Sequence, residues 1–412
     1  MSATLARVGQ VLALGAGRCL LGVGATHYIL RAAELTLLGW LLAGLSDAAS
    51  GVAALGVFRV APTFLFGALA GGLVDRFSPR TMLRLAQVAL VVSTGGVLLL
   101  LSLGQLSIWH TYLAAFLSGV GYTGDFSARR AWLSSVLPAP MLVTGIAVDI
   151  TSLTGSMLVG PAVAGLALAW VGPAGAYVGM VLLVLLAMVL VARLPVPADV
   201  PARRLAARAI SSWQAVRAIL ADRRMRAVLL ITVIANTVGF PFNFLLPVVA
   251  RDTLQVGPLQ YGLLSSAIGV GALISSILLT GLQARFALRT FLAGTLLFMT
   301  GITALGLSHS YSLSLLVMLA YGLGFSGFAA MQIATTLRAA PPALRGRAMG
   351  GVALAIGLQP VGVVGLGALA DTIGASPAVA VFGAVGMGLV ITVGLAMRLW
   401  REEVEWAEED EL

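Results

Sequence analysis

The sequence predicts an all-α membrane protein in which twelve transmembrane helices form two related halves of six helices each. Three observations support this prediction: an apolar composition, arginines confined to alternate loops, and an internal repeat. Of the 412 residues, 59% are hydrophobic and 10% are charged, and the mean hydropathy is +1.01. Soluble domains hold about 45–50% apolar and about 25% charged residues. The composition therefore excludes a soluble enzyme, a nucleic-acid-binding protein and a disordered scaffold.

Twelve apolar runs are long enough to be membrane spans, since one crossing takes about 20 residues. They lie at about 24–46, 51–74, 82–104, 110–129, 142–170, 173–194, 227–250, 260–284, 288–308, 311–334, 348–373 and 377–398. We expect spans 1–6 to form one bundle, at 24–194, and spans 7–12 to form a second bundle, at 227–398.

The distribution of arginine predicts the orientation of these spans. The chain contains no lysine, and 22 of its 25 arginines fall at span ends or in loops on one side, whereas only Arg251 falls on the other. Cytoplasmic loops carry the excess of basic residues in membrane proteins. Both termini are therefore predicted to be cytoplasmic, in the plasma membrane, which in a bacterium is the inner membrane.

Three further segments lie outside the two bundles. Residues 1–23 are apolar but broken by Arg18, and we interpret them as an interfacial segment, with an earlier start of span 1 as the alternative. Residues 195–226 begin with prolines and continue with apolar residues at helical spacing between arginines, which predicts an amphipathic helix on the cytoplasmic leaflet. The tail 399–412 holds seven of the 16 acidic residues and is expected to be solvated.

Two patterns occur once in each half, in the same order. The pattern RFxxRTxL occurs at 76–83 and again at 285–292, and a GxG-aromatic-hydroxyl-G pattern occurs at 119–124 and again at 322–327. The offsets of 209 and 203 residues indicate that a six-span unit is duplicated in parallel orientation. Such a duplication is typical of transporters whose two bundles rock about a site near the middle of the membrane.

The loop GGLVDRFSPR at 71–80 resembles the cytoplasmic signature of the major facilitator superfamily, and the resemblance extends over nearly the whole chain. Asp75, Arg76 and Arg80 match the signature, whereas Ser78 and Pro79 stand where a glycine and a basic residue are usual. The resemblance implies the major facilitator fold and transport by alternating access.

Two shorter segments are similar to the enterobactin-exporter-like and macrolide-efflux-like branch of that superfamily. One is SARRA at 127–131 followed by VLP at 136–138. The other is the GPxxAG run with Gly160, Pro161 and Gly165, similar to a helix-packing motif of proton antiporters. This resemblance implies proton-coupled efflux of an amphipathic small molecule such as a drug or siderophore. The alternatives are an uncoupled facilitator, a lysolipid transporter, and a non-transporting receptor or scaffold.

Ionisable residues inside spans are candidates for proton coupling, because a charge in the membrane is costly. Glu34 lies near the middle of span 1, with Arg31 one turn before it and Arg59 in span 2. Desolvation raises the pKa of a carboxyl group, and a nearby arginine lowers it. A carboxyl group that is subject to both effects can bind and release a proton. A fixed ion pair of Glu34 with either arginine is the alternative. Asp149 in span 5 is the second candidate, and its alternative is an ordinary hydrogen-bonded polar residue.

Five charged residues are predicted to gather at a cytoplasmic gate: Asp75, Arg76, Arg80, Asp125 and Arg129. Asp125 and Arg129 are four residues apart and therefore share a helix face. Contacts among these groups would hold the two halves together while the transporter faces outward. Ordinary anchoring of arginines on the cytoplasmic side is the alternative.

Polar and aromatic residues of spans 4, 7, 10 and 11 are candidate contacts to a substrate in a central cavity. They are Tyr122, Asn236, Phe240, Asn243, Tyr321, Phe325, Phe328, Gln332 and Gln359. Packing between helices is the alternative for each of them.

The remaining chemistry of the chain argues against a membrane enzyme. The three histidines are scattered, and the one cysteine, Cys19, has no clustered partners for a metal site. No glycine-rich ATP-binding loop is present, so we expect a proton gradient rather than a nucleotide or cofactor to supply the energy. The expected partners are the lipid bilayer and a small-molecule substrate, without nucleic acid, and we expect a monomer.

Overall fold

The computed structural model describes residues 9–76, 78–193, 222–279, 286–340, 344–397 and 399, and these ranges are mostly α-helical and contain no β-strand. The predicted linker before residue 222 and the acidic tail after residue 399 lie outside the described residues.

The first part of the chain forms five helices. They are α1 (Gly15–Leu45), α2 (Ala49–Arg76), α3 (Pro79–Ser102), α4 (Ile108–Val136) and α5 (Ala139–Ala192). Local sequence sets the start of α3, because the Ser78 hydroxyl accepts a hydrogen bond from the Thr81 N–H at 3.2 Å and Pro79 occupies the first turn.

The helix α1 is continuous from Gly15 to Leu45, without a break at residues 23 and 24. Residues 15–23 are therefore part of the same helix as the first predicted span, and the interfacial segment and the earlier start of the span both stay predictions. Within Gly15–Leu45, no break in the helix separates an interfacial segment from the span.

The helix α5 spans 54 residues, far more than the roughly 20 that one crossing needs. Its backbone leaves the helical region at Gly172, where φ is 72° and ψ is 179°. A positive φ is a conformation that glycine adopts without a steric penalty. The break falls between the fifth and sixth predicted spans, so α5 consists of two rods.

The second part of the chain forms eight helices, because two of its six predicted spans, the seventh and the eleventh, are each divided between two helices. They are α6 (Arg223–Ile234), α7 (Phe242–Val248), α8 (Pro258–Leu278), α9 (Ala287–Leu307), α10 (Tyr311–Ala339), α11 (Arg345–Ile356), α12 (Gln359–Ile373) and α13 (Ala375–Ala396). Two π-helical turns, Ala235–Gly239 and Val249–Thr253, flank α7. The seventh predicted span is therefore irregular, as its glycine and prolines predict.

Nine helical stretches within the described ranges are long and apolar enough to cross a membrane. The longest of them, Thr144–Ala192, contains the break at Gly172. The described residues thus form an all-helical membrane protein. Twelve crossings and the cytoplasmic side of both termini stay predictions.

The chain divides into two units. The first unit comprises Met1–Asp47, Val57–Leu205 and Gly257–Ser266, and the second comprises Ala48–Gly56, Ala206–Val256 and Ala267–Leu412. The first turns of α2 thus belong to the second unit, and the first turns of α8 belong to the first. The division into bundles at 24–194 and 227–398 stays a prediction.

Small residues allow close helix packing within the first unit. A Cβ atom added to Gly160 would lie 2.6 Å from the Ala32 Cβ and 2.9 Å from the Ala33 nitrogen, so α5 contacts α1 backbone to backbone. A Cβ atom added to Gly165 would lie 2.7 Å from the Pro258 carbonyl oxygen. The GPxxAG run therefore lies where α5 approaches both α1 and the start of α8.

We predict that Gly165→Val lowers the stability of the folded chain, because the new side chain must push the backbone of α8 away. Overpacking of this kind costs about 1–3 kcal/mol. Gly179→Val, on the same helix at a position with no atom within 4 Å of an added Cβ, is the matched control. Thermal unfolding of the detergent-purified protein measures both, and equal midpoints for the two variants would contradict the proposed close approach.

Candidate functional site

A polar face runs along α1 inside the first unit. His27, Arg31 and Glu34 follow one another at spacings of four and three residues, which places them on one side of the helix. His27 and Glu34 are buried, with 2% and 1% of their surface exposed. Charged groups at such positions need partners, because neither water nor an apolar neighbour stabilises them.

The Glu34 carboxylate is held by side chains from three other helices. Arg59 of α2 donates from Nη1 to Oε2 at 3.2 Å, and Ser118 of α4 donates to the same oxygen. The Ser93 hydroxyl of α3 lies 3.2 Å from Oε1 and 2.9 Å from the Ala114 carbonyl oxygen, so its single proton serves two acceptors. Glu34 therefore links α1 to α2, α3 and α4.

The two arginines near Glu34 have different partners. Arg59 also donates from Nη2 to the Arg31 carbonyl oxygen at 2.6 Å. The Arg31 guanidinium lies 3.3 Å from the centre of the Tyr122 ring, in a cation–π contact. We call Arg31, Glu34, Arg59, Ser93, Ser118 and Tyr122 the first cluster. With the usual ionisation of these groups, the first cluster carries one positive charge in excess.

A second cluster, of His27, Tyr28, Asp125, Arg129 and Asp149, lies in the same unit. Arg129 donates from Nε to Asp125 Oδ2 at 3.0 Å and from Nη1 to Asp149 Oδ1. The Tyr28 hydroxyl donates to Asp149 Oδ2 at 3.0 Å, and its ring lies 4.6 Å from the Arg129 guanidinium. Asp125, Arg129 and Asp149 are all buried. With His27 neutral, the second cluster carries one negative charge in excess.

His27 connects the two clusters. Its Nδ1 lies 3.9 Å from Asp125 Oδ1 within the second cluster, and the centre of its ring lies 6.0 Å from that of Tyr122 in the first cluster. The opposite excess charges of the two clusters therefore lie close together, and they cancel with His27 neutral. This balance lowers the cost of placing six ionised side chains, five of them buried, in an apolar bundle.

Glycine makes room for the second cluster. A Cβ atom added to Gly24 of α1 would collide with the Arg129 guanidinium and would lie 3.1 Å from Asp149 Oδ1. The absence of a side chain at this position lets the ion pair between α4 and α5 lie directly against α1.

The predicted gate residues do not share one environment in the structure. Asp125 and Arg129 form the expected pair four residues apart, but they are buried against α1 and α5 rather than exposed at a surface. Arg80 donates from Nη2 to the carbonyl oxygen of Ala192, the last residue of α5, at 3.2 Å. The side chains of Asp75 and Arg76 lie outside the described part of the structure.

The aromatic residues among the predicted substrate contacts pack on one another in the second unit. Phe240 stacks on Phe298 with ring centres 5.5 Å apart and meets Phe325 and Phe328 edge-on at 5.7 and 5.6 Å. Tyr321 lies 5.7 Å from Phe298 and 6.4 Å from Phe325. Tyr321 and Phe328 are buried, whereas Phe240 and Phe325 are half-buried. Phe240 and Phe325 thus keep the largest accessible faces of this set.

The amides among the predicted contacts are hydrogen-bonded within the protein. Asn236 donates to the Thr232 carbonyl oxygen at 2.9 Å, and Gln332 donates to the Thr232 hydroxyl at 2.7 Å. Asn243 donates to the Phe240 carbonyl oxygen at 3.1 Å.

The other two predicted contacts lie elsewhere. Gln359 is half-buried at the first position of α12. Tyr122 belongs to the first cluster, where its ring meets Arg31.

Four residues that were not predicted are partners of the predicted ionisable residues: Ser93, Ser118, Tyr28 and His27. A signal was present for Ser118, because Ser118, Tyr122, Asp125 and Arg129 form a polar stripe at spacings of four, three and four residues along α4. The same holds for His27 on α1. No spacing rule identifies Ser93, which meets Glu34 only through tertiary packing.

The described residues contain no group of three or more His, Cys, Asp or Glu side chains placed to hold a metal ion. The clusters are instead built from arginine–carboxylate pairs and hydroxyl donors. Such a donor set stabilises ionised carboxylates inside the bundle.

These features define the class of protein. Long apolar helices that bury paired ionisable groups are typical of a membrane transporter built from helical bundles. Solved transporter structures share the fold. A bacterial homolog of the human lysosomal transporter Spinster, in an inward-facing and unoccupied conformation, matches with a TM-score of 0.74 at 13% identity, over 96% of this chain and 98% of that one.

Two other transporter structures match at similarly low sequence identity. A variant of the nucleoside transporter NupG has a TM-score of 0.72 at 14% identity, over 92% of this chain and 98% of its own. A D-xylose–proton symporter has a TM-score of 0.67 at 15% identity, over 94% of this chain and 97% of its own. At these identities the likeness concerns the fold alone.

The chain belongs to the transmembrane secretion effector family, whose model matches residues 33–411. Family and fold are those of membrane transporters of the major facilitator type and not of enzymes. A comparison with curated proteins gave no match.

We predict that Arg59→Leu destabilises the folded chain, because it leaves the buried Glu34 carboxylate without its ion-pair partner. Removing one member of a buried pair costs about 3–5 kcal/mol, and neutralising the other member recovers part of that loss. The double variant Glu34→Gln/Arg59→Leu should therefore unfold at a higher temperature than Arg59→Leu alone.

Thermal unfolding in detergent measures these differences, with Arg84→Leu as the control because Arg84 is exposed on α3. An Arg59→Leu variant as stable as the wild type would show that the pair contributes nothing to folding.

Proposed function

We propose that the chain is a proton-coupled exporter of amphipathic small molecules that works by alternating access. The observation on which the proposal rests is Glu34, a carboxylate with 1% of its surface exposed, held by one arginine and two hydroxyls from three neighbouring helices. A buried carboxylate of this kind is the usual proton carrier in transporters. The family description, transmembrane secretion effector, supports outward transport.

Protonation of Glu34 would change the balance of charge in the first cluster. A neutral carboxylic acid no longer compensates Arg59, so the cluster would gain a second excess positive charge. The arginines would then need another anion or water, and a conformation that supplies either would be favoured. This is how a proton on Glu34 would bias the equilibrium between two states of the transporter.

Asp149 is the second candidate for the proton-binding group. It shares Arg129 with Asp125 and accepts a hydrogen bond from Tyr28, and its cluster has one negative charge in excess. A proton would neutralise that excess. Variants at Glu34 and Asp149 separate the two candidates.

The nature of the substrate is proposed from the residues of the second unit. Phe240 and Phe325 present accessible aromatic faces near the irregular segment around α7, where π-helical turns free backbone groups. Aromatic surface with few charges suits a partly hydrophobic molecule better than a sugar or a small anion. The similarity of the sequence to the enterobactin-exporter-like and macrolide-efflux-like branch supports the same class.

One observation favours an uncoupled facilitator as the second candidate function. The Glu34 carboxylate is satisfied by Arg59 and Ser118 and lies in a fully paired site, and a permanent pair would have a structural role only. A lysolipid substrate remains an outcome of the transport test. The family assignment favours transport over a non-transporting receptor or scaffold.

We further propose that the protein is a monomer in the plasma membrane, with both termini cytoplasmic and with Asp75, Arg76 and Arg80 at a cytoplasmic gate. Asp125 and Arg129 would act from within the first unit, by holding Asp149.

We predict that Glu34→Gln abolishes proton-driven export while the protein still inserts and folds, because glutamine keeps the size of the side chain but carries no exchangeable charge. Export of ethidium, a macrolide, a catecholate siderophore and a lysophospholipid from proteoliposomes with an imposed pH gradient measures the effect. Export driven by the gradient should fall to the level of liposomes without protein.

Asp149→Asn is the parallel variant, and Asp252→Asn, at an exposed acid, is the control. Full proton-driven export by Glu34→Gln would rule out Glu34 as the coupling group. Wild-type export that a protonophore leaves unchanged would favour the uncoupled facilitator.

We predict that Asp75→Asn slows export without lowering the amount of inserted protein, because a gate carboxylate would bias the two states rather than contribute to insertion. A severalfold lower initial rate corresponds to the contribution of about 1 kcal/mol from one such contact. Unchanged turnover at equal protein level would refute the role of Asp75 in the gate.

A further inference from the structure

An alanine occupies the position before the first residue of helix α2. Ala48 precedes its first residue, Ala49, and the Gly51 N–H donates to the Ala48 carbonyl oxygen at 3.1 Å. Alanine at this position offers no acceptor to the free N–H groups of the first turn, which usually bond to a Ser, Thr, Asp or Asn side chain. The acceptor must therefore come from elsewhere.

Asp371 of α12 supplies it, from a position 321 residues later in the sequence. Its Oδ1 accepts a hydrogen bond from the Ser50 N–H at 2.9 Å, and the Ala49 N–H and the Ser50 side chain are also its hydrogen-bond partners. Both ends of this contact belong to the second unit. A carboxylate thus caps the N-terminus of another helix, where the helix dipole favours negative charge.

The position of Asp371 on its own helix is unfavourable. It lies in the last turn of α12, which ends at Ile373 before Gly374 with φ 90°. Negative charge in the last turn opposes the helix dipole. The charge of Asp371 is unfavourable in its own helix but is stabilised by the start of α2. This conflict indicates that the contact between the two helices has a role of its own.

The two helices also approach closely one turn away from the cap. A Cβ atom added to Gly367 would lie 3.0 Å from the Ser50 Cα and 3.1 Å from the Ala53 Cβ. The glycine at this position allows α12 to bring Asp371 within reach of Ser50. Both the hydrogen bond and the absent side chain are therefore needed for the contact.

We propose that the cap of α2 by Asp371 is a gate latch on the side of the membrane opposite the arginine-rich loops, and this inference rests on the proposed alternating access. The contact joins a helix of spans 1–6 to a helix of spans 7–12, at the connections 46–49 and 373–375 that the arginine distribution places outside. Opening of the transporter on that side must separate α2 from α12 and uncap α2. Asp371 is exposed to water, which suits a contact that forms and breaks in each cycle.

The test measures the conformational equilibrium directly, without substrate. Spin labels are placed at Gln105→Cys and His309→Cys in a Cys19→Ser background, since both label sites are exposed in connections on the predicted outer side and Cys19 is the one native cysteine. Electron–electron resonance of the full chain in nanodiscs gives the distribution of distances between the labels.

Asp371→Ala should raise the ratio of long to short distances about fivefold, the factor that a typical N-cap contributes to an equilibrium. Asp371→Glu, which can still cap, should stay close to the wild type. Gly367→Val should shift the distribution in the same direction by steric separation. Its control, Gly365→Val on the same helix, meets no atom closer than 3.6 Å and should change little.

The latch is overturned if Asp371→Ala leaves the distances unchanged, or if Asp47→Ala, at the neighbouring exposed acid, shifts them equally. Export assays on the same preparations keep the two proposals apart. A wild type that exports while the variants leave the distances unchanged contradicts the latch alone. A wild type that does not export contradicts the proposed function, whatever the distances show.

Discussion

The structure depends on the neutralisation of charge inside an apolar helical bundle. An isolated carboxylate or guanidinium group in such a place costs several kcal/mol, and the cost is reduced only by partners that are present at the same depth. Glu34 meets this requirement through Arg59 and two serines, and Asp149 meets it through Arg129 and Tyr28. Four of the five helices in the first part of the chain must therefore keep their register to hold Glu34 in place.

Paired charges of this kind have two consequences for a transporter. They specify one arrangement of the helices, because a shifted helix leaves a buried charge unpaired. They also make the arrangement sensitive to a single proton, because protonating one carboxylate removes one member of a pair. The excess charges of opposite sign in the first and second clusters extend this sensitivity, since a proton on either cluster changes the field at the other.

Much of the fold could be predicted from the sequence, because apolar runs and breaking residues act locally. The break in α5 at Gly172 and the irregular span around Pro241 follow from local backbone constraints. The proximity of Glu34 to Arg59 was predicted as one alternative, since both charges lie inside neighbouring spans. The cap of α2 by Asp371 was not predictable, because nothing in the sequence relates two residues 321 positions apart.

The candidate site was predicted less completely, for physical reasons that differ between residues. Asp125 and Arg129 lie near a predicted span end, so the sequence suggested a surface gate, whereas Gly24 lets α1 approach and bury them. Helical spacing placed Tyr321, Phe325 and Phe328 near one another but could not tell a cavity from a neighbouring helix. Phe298 of α9 fills much of the space between them.

The measurement that tests the account most directly is proton release on substrate binding. Purified protein in a weakly buffered detergent solution is mixed with ethidium, and the change in pH is recorded. If Glu34 exchanges a proton for substrate, linkage requires that binding releases up to about one proton per chain from the wild type and none from Glu34→Gln. Ethidium binding with no proton release from the wild type, or with equal release from both proteins, would contradict the central role of Glu34.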